Sequence, residues 1–324
     1  MSETTHASIP RDRLPALLLL CAATLMTVLD ETVVSVALPS IQRDLHIGTA
    51  NLSWVVNGYL VAFGGLLLFA GRVGDLIGRR RVLLAGLALF TAASVPCGVA
   101  PSAGWLVGGR FLQGVGGALA ASVALGMVVA LFDEAALRTR AIGLYAFTSS
   151  IGASSGLFLG GVITDVASWR WVFLVNVPIG IAVVLLGARL LPREPGSGTH
   201  RDADASGAVL LVGGLTLLLL AVVDDGLRGL GLAAAVFLAG FVLRQRTAQT
   251  PLLPLQVLAS RIVAAANIVF ALLVAAMFGF QFLVTLYFQR VLGYSPLQAG
   301  LGIFPVAAGI AATSLVIFPA VSRR

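Results

Sequence analysis

The sequence is divided into ten apolar runs of about twenty residues, each long enough for a helix to cross roughly 30 Å of hydrocarbon. Lipid offers no partner to an unpaired backbone N–H or C=O, so such runs fold as helices rather than as open sheet. The predicted spans are Leu14 to Leu38, Asn51 to Ala70, Val82 to Ala100, Gly104 to Leu131, Ala141 to Thr164, Trp171 to Leu191, Ser206 to Val223, Leu227 to Leu243, Val263 to Phe288 and Leu297 to Pro319. The composition agrees: 58% of residues are hydrophobic and 11% charged, with a mean hydropathy of +0.99. A water-soluble domain of this length does not normally carry that balance. The first run follows Arg11 and Arg13, as a signal peptide would, but it extends to Leu38 and contains Asp30, so it reads as a permanent span.

Charge supplies an independent test of the spans. The net charge of +7 comes from arginine alone, since the chain has no lysine. With a cytoplasmic N-terminus, sixteen of the 21 arginines fall on inner segments. Only Arg43, Arg170, Arg228 and Arg290 fall outside, and Arg110 lies within a span. This is the positive-inside pattern expected of a multi-pass protein of the cytoplasmic membrane. No basic stripe interleaved with aromatics is present, so a nucleic-acid partner is not expected. Cys21 and Cys97 lie at different depths, which argues against a disulfide, and His6, His46 and His200 lack the spacing of a metal site. No catalytic constellation and no nucleotide-binding loop is evident, so the chain is not read as an enzyme or an ATP-driven pump.

The spacing of polar segments gives the organisation. Residues 1–191 form a six-helix bundle, 192–205 a cytoplasmic linker, 206–243 a two-helix hairpin, 244–262 a second inner linker, and 263–324 two further spans.

Four stretches carry chemistry. Gly71-Arg72-Val73-Gly74-Asp75-Leu76-Ile77-Gly78-Arg79-Arg80-Arg81 joins the second and third spans on the inner side. Arginines alone would set topology there, without needing Asp75 and its flanking glycines. Arg110 to Ala118 in the fourth span places an arginine and Gln113 within the bilayer, where a charge must face a partner or a cavity. Leu29 to Pro39 contains Asp30 and Glu31. At 1.5 Å per residue Asp30 lies about 12 Å and Arg110 roughly 9 Å below the outer face, so the two are expected to approach each other. Gly152, Gly156 and Gly160, followed by Gly161, form a small-residue stripe suited to close helix packing. In the ninth span Phe278, Gln281, Phe282 and Tyr287 are candidates for lining an aromatic cavity.

These strings resemble signatures of the major facilitator superfamily, and the first-helix string with the six-plus-two grouping resembles its 14-span drug:proton antiporters. The resemblance covers essentially the whole chain. It departs at Ser35, where Asn is usual, and at Leu157, where the fifth-helix motif has Pro. The resemblance implies an all-α major facilitator fold with a cytoplasmic N-terminus and a second six-helix half represented only by its first helices. It implies a gating loop at Gly71, Asp75, Gly78, Arg79 and Arg80, with Asp75 contacting the opposite half. It implies proton or substrate coupling at Asp30, Arg110 and Gln113, a helix-packing motif at Gly152, Gly156, Gly160 and Gly161, and no cofactor beyond the proton motive force. The expected activity is efflux of hydrophobic or cationic drugs or secondary metabolites by alternating access. The alternatives are a truncated, non-transporting remnant and an uptake transporter, and self-association or a missing C-terminal half is a further expectation.

Overall fold

A computed structural model describes residues 9–193, 196, 204–223, 225–253, 259–295, 297–303, 305–306 and 309. The chain is all-helical over these residues, and nine helices among them are long and apolar enough to cross a membrane. They are α1 (Leu14–Asp44), α2 (Trp54–Ile77), α3 (Arg79–Gly98), α4 (Ala103–Ala130), α5 (Ala135–Val166), α6 (Asn176–Leu190, which spans together with the turn before it as Trp171–Leu190), α7 (Ala205–Val223), α8 (Leu230–Thr247) and α9 (Arg261–Arg290). A single helical turn, Trp171–Leu174, precedes α6. The tenth predicted span begins in helix at Leu297, but most of Leu297 to Pro319 lies outside the described residues, as does most of the 192–205 linker.

Two boundaries differ from the sequence reading for identifiable reasons. The first span was expected to stop at Leu38, before Pro39, but α1 runs through this proline to Asp44. Proline removes a donor without ending the helix, because Pro39, Ile41 and the residues before them are buried in the bundle. The inner segment Gly71 to Ile77 was expected to be loop, yet it is the last two turns of α2. A helix is not obliged to stop where hydrocarbon does, and here Gly74 packs so closely on α4 that a Cβ would lie 2.3 Å from Val123 Cγ1. The turn is confined to Gly78, whose φ of +101° is a conformation that disfavours any side chain.

The helices of the first bundle pack as α1 on α5, α2 on α4, α3 on α4 and α3 on α6, with the α7–α8 hairpin against α2. The predicted glycine stripe makes the first of these contacts. A Cβ on Gly156 would sit 1.8 Å from Thr32 Oγ1, and one on Gly160 would sit 2.9 Å from the Val33 backbone. Gly152 faces Leu25 and Val28, and Gly161 is buried. α5 is unbroken through Leu157, whose side chain packs with Val36 and Ile303.

Two apolar clusters fill the bundle. One, toward the inner face, includes Leu17, Leu20, Leu83, Leu87, Phe90 and Phe132. The other, toward the outer face, includes Val34, Leu38, Ile41, Cys97, Leu106 and Phe173. On each of α1, α3 and α4 the chain passes from one cluster to the other through a polar residue: Asp30, Ser94 and Gln113. The interior is therefore split by a thin polar layer.

Candidate functional site

That layer is a closed hydrogen-bonded network. The Arg110 side chain is fully buried. Its Nη1 is ion-paired with Asp30 Oδ2 and donates to Gln113 Oε1 at 3.1 Å, while Nε donates to the Val55 carbonyl at 3.0 Å. Asp30 Oδ1 accepts from Asn176 Nδ2 at 2.7 Å and from Gln113 Nε2 at 3.3 Å. Gln113 Nε2 also donates to Ser94 Oγ at 2.9 Å, and the Cys97 thiol donates to Gln113 Oε1 at 3.4 Å. The guanidinium lies 4.4 Å from the centre of the Tyr59 ring, a cation–π distance. Arg110 Nη2 has no hydrogen-bond partner among the described residues. Burying two charges in this way holds only because nearly every lone pair and proton finds a partner.

The expected approach of Asp30 and Arg110 is thus a direct contact, and Gln113 bonds both. Asn176, Ser94, Tyr59 and the Val55 carbonyl complete it, and the sequence reading assigned none of them. Asn176 was visible by the same depth argument: it is the fifth residue after Trp171 at the outer face, roughly 7.5 Å down, level with Arg110.

At the inner face, Asp75 Oδ1 accepts from Arg79 Nε at 3.3 Å and Nη2 at 3.1 Å. Arg79 Nη1 also reaches the Gly126 carbonyl near the end of α4 at 3.5 Å, and Arg80 donates to the Ala188 carbonyl near the end of α6. Both arginines therefore satisfy carbonyls at helix C-termini, where a cation is favoured. The Asp75 side chain remains half exposed, at 51%.

At the outer face, Trp169 Nε1 donates to Asp44 Oδ2 at 3.0 Å and Arg170 is ion-paired with the same carboxylate. Arg170 also donates to the Ala100 carbonyl at 3.3 Å, so this string ties the outer ends of α1 and α3 to the start of α6. From α9, Gln289 Nε2 donates to the Val36 carbonyl at 3.1 Å and Arg290 bonds Gln42.

Three of the four aromatic-cavity candidates lie together. Phe278, Gln281 and Phe282 face Ser35 of α1, Ser53 before α2, and Val56, Asn57 and Leu60 of α2 across a crevice of about 250 Å³. Tyr287 is not part of it; its side chain is exposed and its ring packs beside Phe288.

The sequence profile described as Major Facilitator Superfamily matches residues 20–324. The chain belongs to the major facilitator superfamily. It is thus a multi-pass membrane protein of a transporter family and not an enzyme. Among curated relatives, it is 43% identical over 334 residues to a cephamycin export protein of Amycolatopsis lactamdurans, covering 100% of this chain and 68% of that protein. It is 40% identical over 308 residues to a puromycin resistance protein of Streptomyces alboniger, covering 93% of this chain and 61% of that one. The chain therefore spans about two thirds or less of the length of these relatives. Among solved structures, a bacterial homologue of the human drug peptide transporters PepT1 and PepT2 superposes with a TM-score of 0.62 at 17% identity, covering 93% of this chain and 72% of that one. At that identity the likeness speaks for the major facilitator fold alone.

Proposed function

We propose that this major facilitator chain serves proton-coupled efflux of small hydrophobic or cationic molecules, drugs or secondary metabolites, by alternating access, as one of the 14-span drug:proton antiporters. The observation that carries the reading is the sealed layer of Asp30, Arg110, Gln113 and Asn176 at the depth where transporters place their coupling sites. A buried carboxylate held by a cation is costly to build and is retained in membrane proteins where a proton or substrate passes. The names of the two relatives, an export protein and a resistance protein, support the outward direction. The six-plus-two grouping of the helices supports the 14-span group. Gln289 and Arg290 of α9, closing on the outer end of α1, supply the contacts that opening outward would break. Asp75 serves the opposite gate, with Arg79 holding its carboxylate at the inner surface.

The experiment is efflux of a panel of dyes from cells expressing the chain, with and without a proton uncoupler, alongside Asp30→Asn. Uncoupler-sensitive efflux that the variant loses while still inserting is expected. Equal dye accumulation with and without the protein, or normal transport by the variant, would reject the proposal.

A further inference from the structure

Both ends of the Gln113 amide are fully committed. Nε2 gives one proton to Asp30 Oδ1 at 3.3 Å and the other to Ser94 Oγ at 2.9 Å. The Ser94 hydroxyl spends its own proton on the Phe90 carbonyl at 2.9 Å, so toward Gln113 it can only accept. Gln113 Oε1 accepts from Arg110 Nη1 at 3.1 Å and from the Cys97 thiol at 3.4 Å. Turning this amide over would break all four bonds and set donor against donor at Arg110 and acceptor against acceptor at Asp30.

Asn176, the first residue of α6 and 3% exposed, is held differently. Its Nδ2 donates to Asp30 Oδ1 at 2.7 Å, while its own Oδ1 accepts no hydrogen bond among the described residues. A half-turn about its Cβ–Cγ bond therefore gives up one bond and disturbs no other.

The difference matters when a proton arrives. The ionised Asp30 accepts on both oxygens, from Arg110 on Oδ2 and from Gln113 and Asn176 on Oδ1. A carboxylic acid has one O–H to donate, and each of these neighbours presents a donor. A hydrogen on Oδ2 would face the Arg110 guanidinium, which has no acceptor. A hydroxyl at Oδ1 can still accept from Gln113, and its hydrogen needs only an acceptor where Asn176 Nδ2 now lies. Among the described residues, the charged or titratable groups near Asp30 are Arg110 of α4, Tyr59 of α2, Cys97 of α3 and Glu31 of its own helix. Of these only Arg110 bonds it.

We infer that Asn176 is the positioning residue for the transported proton. Its amide donates to the Asp30 carboxylate and, when Oδ1 takes a proton from water, turns over so that Asn176 Oδ1 accepts from the new hydroxyl. Loss of that proton to water reverses the turn. Gln113, clamped by Ser94 and Cys97, keeps the carboxyl group in place through both states. The inference rests on the proton-coupling reading of Asp30 and adds the group that makes room for the proton.

The test is infrared difference spectroscopy between high and low pH on the purified full chain in lipid, with asparagine isotope-labelled at its side-chain carbonyl. Asn176 is one of four asparagines, so Asn51→Gln, Asn57→Gln and Asn267→Gln together leave it the single labelled group. Acidification is expected to bring up a carboxylic-acid band that Asp30→Asn lacks. With it, the labelled carbonyl should move to lower wavenumber, as a carbonyl does on accepting a hydrogen bond. In Asn176→Leu the acid band should move to higher wavenumber, because the O–H has lost its acceptor. A labelled carbonyl that stays in place while the Asp30 band appears would overturn the inference and leave proton coupling standing, as would an acid band unmoved in Asn176→Leu. No Asp30 acid band at any pH would overturn the coupling reading and the inference together. The labelled measurement leaves Asn176 unaltered, so it decides the matter even where Asn176→Leu fails to fold.

Discussion

Replacing Arg110 by Met removes a charge while approximately conserving length, and the structure sets the scale of the damage. Asp30 keeps its bonds from Gln113 and Asn176 but loses its cationic partner, and the Val55 carbonyl loses a donor. Removing one member of a buried ion pair costs about 3–5 kcal/mol. For a chain of this size each kcal/mol moves the melting temperature by roughly 2 °C, so Arg110→Met is expected to melt about 6–10 °C lower. Asp30→Asn leaves Arg110 as the unpaired member and sets an amide NH2 against a donor where a carboxylate oxygen accepted, so the same scale applies, about 3–5 kcal/mol, or about 6–10 °C. The double variant removes both charges and should melt higher than the two losses added together. The chain supplies its own reporter, because Cys21 and Cys97 are free and buried and react with a thiol-directed fluorophore only as the bundle opens. A double variant whose loss equals the sum of the singles would refute the claim that these residues act as a pair. Singles melting within about 2 °C of the unaltered protein would refute the cost assigned to the network.

Gly160→Ala forces α5 away from the Val33 backbone and is expected to cost about 1–3 kcal/mol, whereas Gly143→Ala on the same helix meets nothing within 4 Å and should be neutral or slightly stabilising; the same melting assay compares them. Asp75→Asn removes an exposed i,i+4 pair worth about 0.3–0.5 kcal/mol, so its melting temperature should stay near that of the unaltered protein while dye efflux is lost; retained efflux would remove Asp75 from the gate. At the inner end of the hairpin, burial alone would raise the pKa of Asp204, but hydrogen bonds from the Gly207 N–H, Arg244, Ser206 and Gln245 together hold it below its ordinary 3.8. A depressed folded-state pKa contributes stability that is present above 3.8 and lost as pH falls through the lower folded value. Asp204→Asn should therefore leave α7 and α8 more open to protease than the unaltered chain near neutral pH, and the difference should shrink as pH is lowered past 3.8.

Periodicity and charge made the spans legible, because hydrophobic length and arginine placement are properties of one segment at a time. Depth arithmetic also reached the Asp30–Arg110 contact, because two charges in hydrocarbon leave few alternatives. Ser94, Tyr59 and the Val55 carbonyl were out of reach for the opposite reason. Each is unremarkable within its own helix and gains a role only from which neighbour it faces, a matter of helix rotation that sequence spacing does not fix. The Asp75 segment shows a different limit. Its glycines and charges imitate a loop, yet Gly71 to Ile77 is helical, with Gly74 packed closely on Val123.

The span of the polar layer along the chain bears on how the protein is made. Asp30 precedes Arg110 by 80 residues and Asn176 by 146. At roughly 5–20 residues per second, α1 waits about 4–16 s for its cation and about twice as long for the amide. During that interval an ionised Asp30 in hydrocarbon carries an insertion penalty of about 2.5–3.5 kcal/mol, which the apolar remainder of α1 must outweigh. The nascent first helix is thus a provisional resident of the bilayer. The ion pair that later joins α1 to α4 also records that the fourth helix has arrived in its correct place.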